Sequence, residues 1–357
     1  MSRENVSNMN YINRKTLIIA GIVIFLIALV GLVWYLTTSQ KSGISNQLPL
    51  GLIESSRGEI YYFNRSDLSF YKKTQDETVM LVTLGYEPFT MVYSPDRSKV
   101  VILGSAEEQG RAIDLVNLST KSITTLDLRI INAAFSEDNS KLAYHFYDPK
   151  NLVSSIYVED ILDNGVSGPQ LVANLDYAEN LFYIIRWKDK DNVLVLPMQS
   201  DDYLVNILEL NLNTNKSKIV LEGSMLDFLV DPQTKNLIVL NTNDSSNEHG
   251  TNGTYSINIF QPANKKTTST GIDVYSLTQM SFSAAESGFY VAGSSGGNFG
   301  LYFVDKNGTP SLISDLSEEL SDSIIEVFYS AFEKKVYIVT EQGTLEVNID
   351  ISTTKSK

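Results

Sequence analysis

The stretch MVYSPDRSKVVIL, residues Met91–Leu103, consists of a short apolar segment, a polar turn and a second apolar segment. The stretch AAFSEDNSKLAYH, residues Ala133–His145, repeats this order 42 positions later. Asp and Asn side chains in such turns bond to nearby backbone amides, which favours a tight connection between two strands. Each stretch therefore predicts a β-hairpin.

The same hairpin pattern occurs seven times in the chain, including five less regular copies. The five are GLIESSRGEIYYF (Gly51–Phe63), IIRWKDKDNVLVL (Ile184–Leu196), FLVDPQTKNLIVL (Phe228–Leu240), MSFSAAESGFYVA (Met280–Ala292) and VFYSAFEKKVYIV (Val327–Val339). Measured from the last apolar residue before each turn, the intervals are 40, 42, 52, 43, 52 and 47 residues. Roughly 40–45 residues is typical of a four-stranded propeller blade, and loop insertions explain the longer intervals. The sequence predicts an all-β, seven-bladed β-propeller, with six or eight blades as alternatives.

The two most regular copies resemble the TolB-type, WD-like propeller repeat, in which an aromatic residue, Ser, Pro, Asp and Gly precede a strand. The run YSPD at Tyr93–Asp96 matches closely, with Arg97 where Gly is usual, and FSED at Phe135–Asp138 matches in part. The resemblance implies a propeller over most of residues 50–350. It implies no particular function, because such propellers serve as binding platforms and as parts of enzymes alike.

The last repeat is short of one strand. Its third strand is predicted at Thr344–Ile349, and the remaining residues Asp350–Lys357 contain little apolar material. Propellers often close with a strand from the other terminus, and burying a sheet edge in this way prevents edge-to-edge aggregation. We expect residues 44–48 to supply that outer strand.

The segment before the repeats predicts a membrane anchor. Leu17–Leu36 is a run of 20 residues without a charge, long enough to span a hydrocarbon layer of about 30 Å. Trp34 and Tyr35 suit an interfacial aromatic belt, and Arg14 and Lys15 suit the cytoplasmic side. A cleaved signal peptide is the alternative, but its apolar core would be shorter and would end in a small-residue cleavage site.

These observations predict four regions in a single-pass protein of the cell membrane, with the bilayer as a partner through residues 17–36. They are a cytoplasmic tail at 1–15, a transmembrane helix at 16–37, a linker at 38–49 that holds the closing strand, and an extracytoplasmic β-propeller at 50–357. The 42 acidic residues against 28 Lys and Arg give a net charge of −14, so nucleic acid is not an expected partner. The chain has no Cys, which excludes disulfides and thiol nucleophiles.

Two local patterns suggest chemistry but have simpler interpretations. Gly293–Gly297 (GSSGG) fits the G-x-S-x-G string of hydrolase elbows, which need a strand before and a helix after the nucleophile. Here strands are predicted on both sides, which favours a hairpin. The polar loop Asn241–Thr254 carries oxygen ligands without the acidic spacing of a calcium loop, which favours a plain loop. No cofactor or metal is predicted.

Five residues are candidates for ligand binding. Arg186 is the one charged residue among the three positions that precede each turn, and it is a candidate channel residue. His145 is expected to line the pore or to pack in the core. The acidic run Asp315–Glu326 (DLSEELSDSIIE) is predicted to lie between the last two blades, with Asp315, Glu318 and Glu319 on the outward face, where it would suit a basic partner.

Because no catalytic constellation is visible, the sequence favours a non-catalytic module that binds a protein or an envelope polymer. The alternative is a small-molecule-binding sensor, or a hydrolase-type enzyme, that uses the central channel. Clustered ionisable residues in the channel would favour the alternative.

Overall fold

The structure is a computed structural model. It describes residues 49–106, 110–148, 150–163, 165–175, 182–198, 206–241, 255–283, 287–316, 320 and 323–349. Within those residues, no helix has both the length and the apolar character needed to cross a bilayer. The predicted anchor, the closing strand at 44–48, the loop 242–254, Glu318 and Glu319 all lie outside the described residues.

The first half of the fold consists of four separate four-stranded antiparallel sheets, each built from strands that follow one another in sequence. Sheet one contains β1 (Pro49–Glu54), β2 (Ile60–Asn64), β3 (Ser69–Lys73) and β4 (Thr78–Thr83). Sheet two contains β5 (Glu87–Tyr93), β6 (Lys99–Ala106), β7 (Gly110–Asn117) and β8 (Ser122–Thr125). Sheet three contains β9 (Ile130–Phe135), β10 (Lys141–Asp148), β11 (Val153–Leu162) and β12 (Gly165–Leu175). Sheet four contains β13 (Phe182–Asp189), β14 (Asn192–Met198), β15 (Ile207–Asn211) and β16 (Lys216–Leu221).

The second half contains an eight-stranded sheet and a three-stranded sheet. The eight strands are β17 (Met225–Val230), β18 (Leu237–Asn241), β19 (Tyr255–Gln261), β20 (Lys266–Val274), β21 (Met280–Ser283), β22 (Gly288–Ser295), β23 (Asn298–Asp305) and β24 (Pro310–Asp315), with a short 3-10 helix at Leu277–Gln279. The groups β17–β20 and β21–β24 are joined by one residue pair, Asp273 with Ser294. The last sheet contains β25 (Ile324–Ser330), β26 (Lys335–Thr340) and β27 (Gly343–Asn348).

The first strand of each group contacts the first strand of a neighbouring group, as between β9 and β13, β13 and β17, β21 and β25, and β25 and β1. We call β1, β5, β9, β13, β17, β21 and β25 the inner strands. Consecutive antiparallel sheets whose first strands gather in this way are the arrangement of a β-propeller. The observed β27 also agrees with the third strand predicted for the last repeat.

The two most regular hairpins contain the same turn, and its hydrogen bonds explain the sequence pattern that they share. Ser94 Oγ donates to Asp96 Oδ1 at 2.7 Å and accepts the Lys99 N–H at 2.9 Å. Ser136, Asp138 and Lys141 make the same contacts in the next repeat. Arg97 adopts a left-handed conformation with φ of 63° at the position where the repeat usually has Gly. The Ser and Asp of the repeat therefore fix the turn by hydrogen bonding.

Apolar side chains fill the spaces between successive sheets. The clusters between sheets two and three and between sheets three and four hold ten and twelve buried residues. The cluster that joins the last sheet to the first holds only four: Ile60, Tyr62, Phe328 and Tyr337. This junction therefore buries the least apolar surface, which bears on how the ring of sheets is closed.

Two carboxylates span the junction between the first and last sheets. Glu326 on β25 accepts the backbone N–H groups of Gly51 at 2.6 Å and Leu52 at 3.0 Å. Glu54 on β1 accepts Ser330 Oγ at 2.6 Å and the backbone N–H of Ala331 at 2.9 Å. These hydrogen bonds satisfy backbone and hydroxyl donors at the junction and offset part of the small apolar contact here.

Candidate functional site

Arg186 lies on the inner strand β13, where the sequence placed it. Its Nη2 is 3.7 Å from Asp227 Oδ1, on the neighbouring inner strand β17. Both side chains are about 29% exposed. Arg186 Nη1 also donates to the Ile185 carbonyl at 3.0 Å. The candidate channel residue is thus half of an ion pair between two inner strands.

Asp227 belongs to a set of polar residues at equivalent repeat positions, three before the last apolar residue of the inner strand. The set is Thr90, Asn132, Asp227, Gln279 and Glu326. In four of these repeats the register of the first hairpin shifts beside the polar residue. A bulge of this kind redirects a side chain, which here brings several of the polar groups to a neighbouring inner strand.

Two members of the set connect neighbouring sheets. The Asn132 amide donates to the Tyr183 carbonyl at 3.2 Å, and the Gln279 amide donates to the Ile324 carbonyl at 3.3 Å. Both side chains are buried, and each amide donates to a backbone carbonyl of the next sheet. Their role is to hold adjacent sheets together.

The two carboxyl groups of the set have unusual electrostatics. Burial raises the pKa of Glu326 to about 7, although the Gly51 and Leu52 N–H groups act in the opposite direction. Burial also raises the pKa of Asp227, and the charge of Arg186 opposes this. Glu326, with a pKa of about 7, is able to exchange a proton near neutral pH, and perturbed carboxyl groups of this kind are candidates for acid–base chemistry.

Tyr93 adds a third polar group near Glu326. Its hydroxyl is buried and has no hydrogen-bond partner within the described part of the chain. Burial first, and then the charge of Glu326, raise the pKa of Tyr93. The Tyr93 ring also lies beside Gly51: a Cβ added to Gly51 would be 3.3 Å from Cε2 of that ring. Glu326, Tyr93 and the start of β1 therefore form one neighbourhood.

The structure places the other candidates elsewhere. His145 lies on β10, the second strand of sheet three, and is fully buried. Its Nε2 is 3.2 Å from Ser154 Oγ, and its ring meets Tyr183 edge-on at 4.8 Å. Asp315 ends β24 and is exposed. Neither residue lies on β13 or β17, the strands that carry the Arg186–Asp227 pair.

The G-x-S-x-G string is a hairpin turn. Strand β22 ends at Ser295, β23 begins at Asn298, and Gly296 and Gly297 between them have φ values of 58° and 84°. Two residues with positive φ are typical of the tight turn that matches the twist of a β-hairpin. A nucleophile elbow requires a helix in place of β23, so Ser295 has no such context.

Neither a known protein-family model nor a curated protein sequence matches the chain. Solved structures do. Oligogalacturonate lyase in complex with manganese has a TM-score of 0.62 at 14% identity, over 87% of this chain and 91% of the lyase. A puromycin-hydrolyzing peptidase of Mycobacterium tuberculosis has a TM-score of 0.52 at 15% identity, over 77% of this chain but only 46% of the peptidase. The β-propeller domain of the Trilobed protease from Pyrococcus furiosus has 0.54 at 14%, over 85% and 97%.

These similarities confirm the predicted all-β propeller fold, because identities this low establish the fold alone. They contradict the predicted non-catalytic role in binding a protein or an envelope polymer, and the prediction that the chain is not an enzyme. Structures with this fold include a lyase and a peptidase, so the fold gives no reason to exclude catalysis.

The three residues before each turn, on which the prediction of a non-enzyme rested, read FLV and VFY in the fifth and seventh repeats. Asp227 and Glu326 lie immediately before those triplets. Glu326 was also assigned to an acidic surface run, whereas the structure places it within the inner strand β25. Comparing the repeats at the position three before the last apolar residue of each inner strand would have found both residues.

Proposed function

We propose that the chain is a hydrolase-type enzyme that takes a small molecule at the inner strands of the propeller, with Arg186, Asp227 and Glu326 as its functional side chains. The inner strands of a propeller surround its axis, where a central channel runs. Ligand sites in proteins are typically concave and contain a few convergent polar groups. An enzyme needs ionisable side chains at the axis, whereas an inert propeller axis would hold only packed apolar side chains.

The observation that carries the proposal is the presence of two ionisable carboxyl groups at equivalent positions of two inner strands. Hydrolysis by acid–base catalysis needs one group to accept a proton and another to donate one. Glu326, with a pKa of about 7, is able to do either near neutrality. The Arg186 guanidinium would orient an anionic or carbonyl-bearing substrate.

Two finer features belong to the same proposal. The eight-stranded sheet counts as two blades because one residue pair joins its halves, which gives seven blades. The run Leu17–Leu36 anchors the chain in the membrane with the propeller outside the cytoplasm. Protease treatment of intact cells tests this orientation: external cleavage within residues 50–357 supports it, and complete protection contradicts it.

The test of function uses the full-length chain in a mild detergent and a panel of p-nitrophenyl esters and glycosides between pH 5 and 9. The variants are Asp227→Asn and Glu326→Gln, with Glu77→Gln, an exposed carboxylate on β3–β4, as the matched control. We expect at least one probe to be hydrolysed, and kcat to fall about 100-fold or more in the first two variants only. Absence of turnover, or equal rates in all variants, would contradict the proposal.

A further inference from the structure

A cleft of about 480 Å³ lies between sheets two and three, away from the Arg186–Asp227 pair. Strand β8 and the connection to β9 form one side, and the face of sheet three forms the other. Its volume is in the range of small-molecule sites, about 300–1,000 Å³. The enzyme hypothesis uses none of the residues in this cleft.

Aromatic rings form one wall of the cleft. Tyr144 on β10 and Tyr157 on β11 are cross-strand partners, and their rings stack at 5.8 Å with an angle of 15°. Phe146 meets Tyr157 edge-on at 5.5 Å. Tyr144 is buried, whereas Tyr157 and Phe146 are partly exposed. The wall is thus a fixed apolar surface that remains accessible at its outer part.

Arg129 is held rigidly at the edge of this wall. Its guanidinium lies 4.5 Å from the centre of the Phe146 ring. Its Nε and Nη2 donate to Asp127 at 3.0 and 2.6 Å, a two-point contact that fixes the plane of the group. The remaining N–H groups of Arg129 are donors in a defined position.

Glu159 provides the matching acceptor. One of its oxygens accepts the Tyr144 hydroxyl, which orients the carboxylate. Its other oxygen accepts no hydrogen bond from a described residue. The cleft therefore presents a flat aromatic wall flanked by at least one oriented donor and two oriented carboxylates.

The charges decide which ligand fits. Asp127 and Glu159 outnumber Arg129, and the chain as a whole carries −14, so an organic anion is disfavoured. An organic cation is disfavoured because Arg129 already covers the Phe146 face and would repel it. A neutral ring with several hydroxyl groups remains, since each hydroxyl donates to a carboxylate or accepts from Arg129.

We propose that this cleft binds a neutral saccharide, with a sugar ring against Tyr157 and its hydroxyls bonded to Arg129, Asp127 and Glu159. The site is separate from the inner strands and is independent of the proposed hydrolase activity. It would bind one or two sugar units, in keeping with its volume.

The test is titration of the full-length chain with cellobiose, maltose and N,N′-diacetylchitobiose, with galacturonate and choline as charged probes. We expect at least one neutral disaccharide to bind with a Kd of about 0.1–5 mM, and more tightly than either charged probe. Glu159→Gln and Tyr157→Ala should each weaken it about 10-fold or more, roughly the effect of losing one hydrogen bond or one ring contact.

Sheet one supplies the matched control. Tyr62 and Tyr71 form the same cross-strand stack there, at 5.5 Å and 16°, and do not line the proposed saccharide cleft. Tyr71→Ala should leave the Kd unchanged, and so should Asp227→Asn. Failure of all three disaccharides to bind, tighter binding of a charged probe, or equal loss in Tyr71→Ala overturns the proposal. Glu159→Gln keeps the test valid if Tyr157→Ala does not fold, because it preserves the aromatic wall.

Discussion

Glu326, in the last inner strand, accepts a hydrogen bond of 2.6 Å from the backbone N–H of Gly51, in the first. The two residues are 275 positions apart, so this contact joins the ends of the ring of sheets. Glu54 makes the reverse connection to the turn after β25. Within the described residues, the first and last sheets share no strand. Within the same residues, side-chain hydrogen bonds and four buried apolar residues join these two sheets.

Glu326 makes stability depend on pH in a predictable direction. Its folded-state pKa of about 7 is above the ordinary value of 4.5, so the folded state binds the proton more tightly than the unfolded state. Its contribution to stability is therefore complete below about pH 4.5 and is lost as the pH rises to about 7. We expect the free energy of unfolding of wild type, relative to Glu326→Gln, to fall across that window. Urea titrations at pH 4.5, 6 and 8 measure this, and a constant difference would show that the assignment is wrong.

Glu54 should contribute to ring closure at neutral pH. Glu54→Ala leaves the Ser330 hydroxyl and the Ala331 N–H without their acceptor, so we expect a loss of about 2–3 kcal/mol in unfolding free energy. Glu77→Ala removes an exposed carboxylate from the same sheet and should change stability by less than about 0.5 kcal/mol. Chemical denaturation at pH 7 compares them. Equal effects would mean that the Glu54 contacts are not stabilising.

Replacing Arg186 should cause a loss of stability that depends on pH, because Arg186 affects the ionisation of Asp227. Arg186→Met removes the charge that holds down the pKa of Asp227, so that pKa should rise further. Because a raised carboxyl pKa makes ionisation costly in the folded state, the loss of stability should be larger at pH 8 than at pH 5, by about 1–2 kcal/mol. Arg65→Met, which breaks the more exposed pair with Glu87, is the control and should show little pH dependence. A loss for Arg186→Met that is the same at both pH values would contradict this.

Replacing a glycine inside the Gly296–Gly297 hairpin should affect stability differently from replacing a glycine without positive φ elsewhere. Gly297→Ala introduces a side chain at φ of 84° in otherwise open space, and should destabilise the protein by about 1 kcal/mol through backbone strain. Gly85→Ala, also in open space but without positive φ, should be neutral or slightly stabilising.

Ser295→Ala should leave any hydrolysis rate unchanged. Loss of turnover in that variant would identify Ser295 as a nucleophile.

The sequence predicted the repeated hairpins well because each depends on neighbouring residues. Ser94, Asp96 and Lys99 lie within six positions of one another, and their mutual hydrogen bonds produce the pattern that is visible in the sequence. The third strand of the last repeat was predicted for the same reason: local alternation of apolar and polar residues determines it.

The candidate sites depended on contacts that local patterns do not encode. Asp227 forms an ion pair with Arg186 of the preceding repeat. Glu326 accepts a hydrogen bond from Gly51, near the other end of the described chain. Arg129 reaches Phe146 through the pairing of β9 with β10, but the cleft itself depends on the packing of sheets two and three. His145 is the intermediate case, since its strand was predicted but its edge-on contact with Tyr183 of the next sheet was not.

Among the described residues, side-chain contacts rather than a shared strand join the first and last sheets, which sets where the ring gives way under load. If the chain is tethered at its N-terminal end, tension arrives first at β1, which the hydrogen bonds of Glu54 and Glu326 join to the last sheet. Those contacts rupture one at a time, whereas a strand within a sheet resists through all its ladder bonds together. The contact between the first and last sheets would then separate while the remaining sheets stay intact.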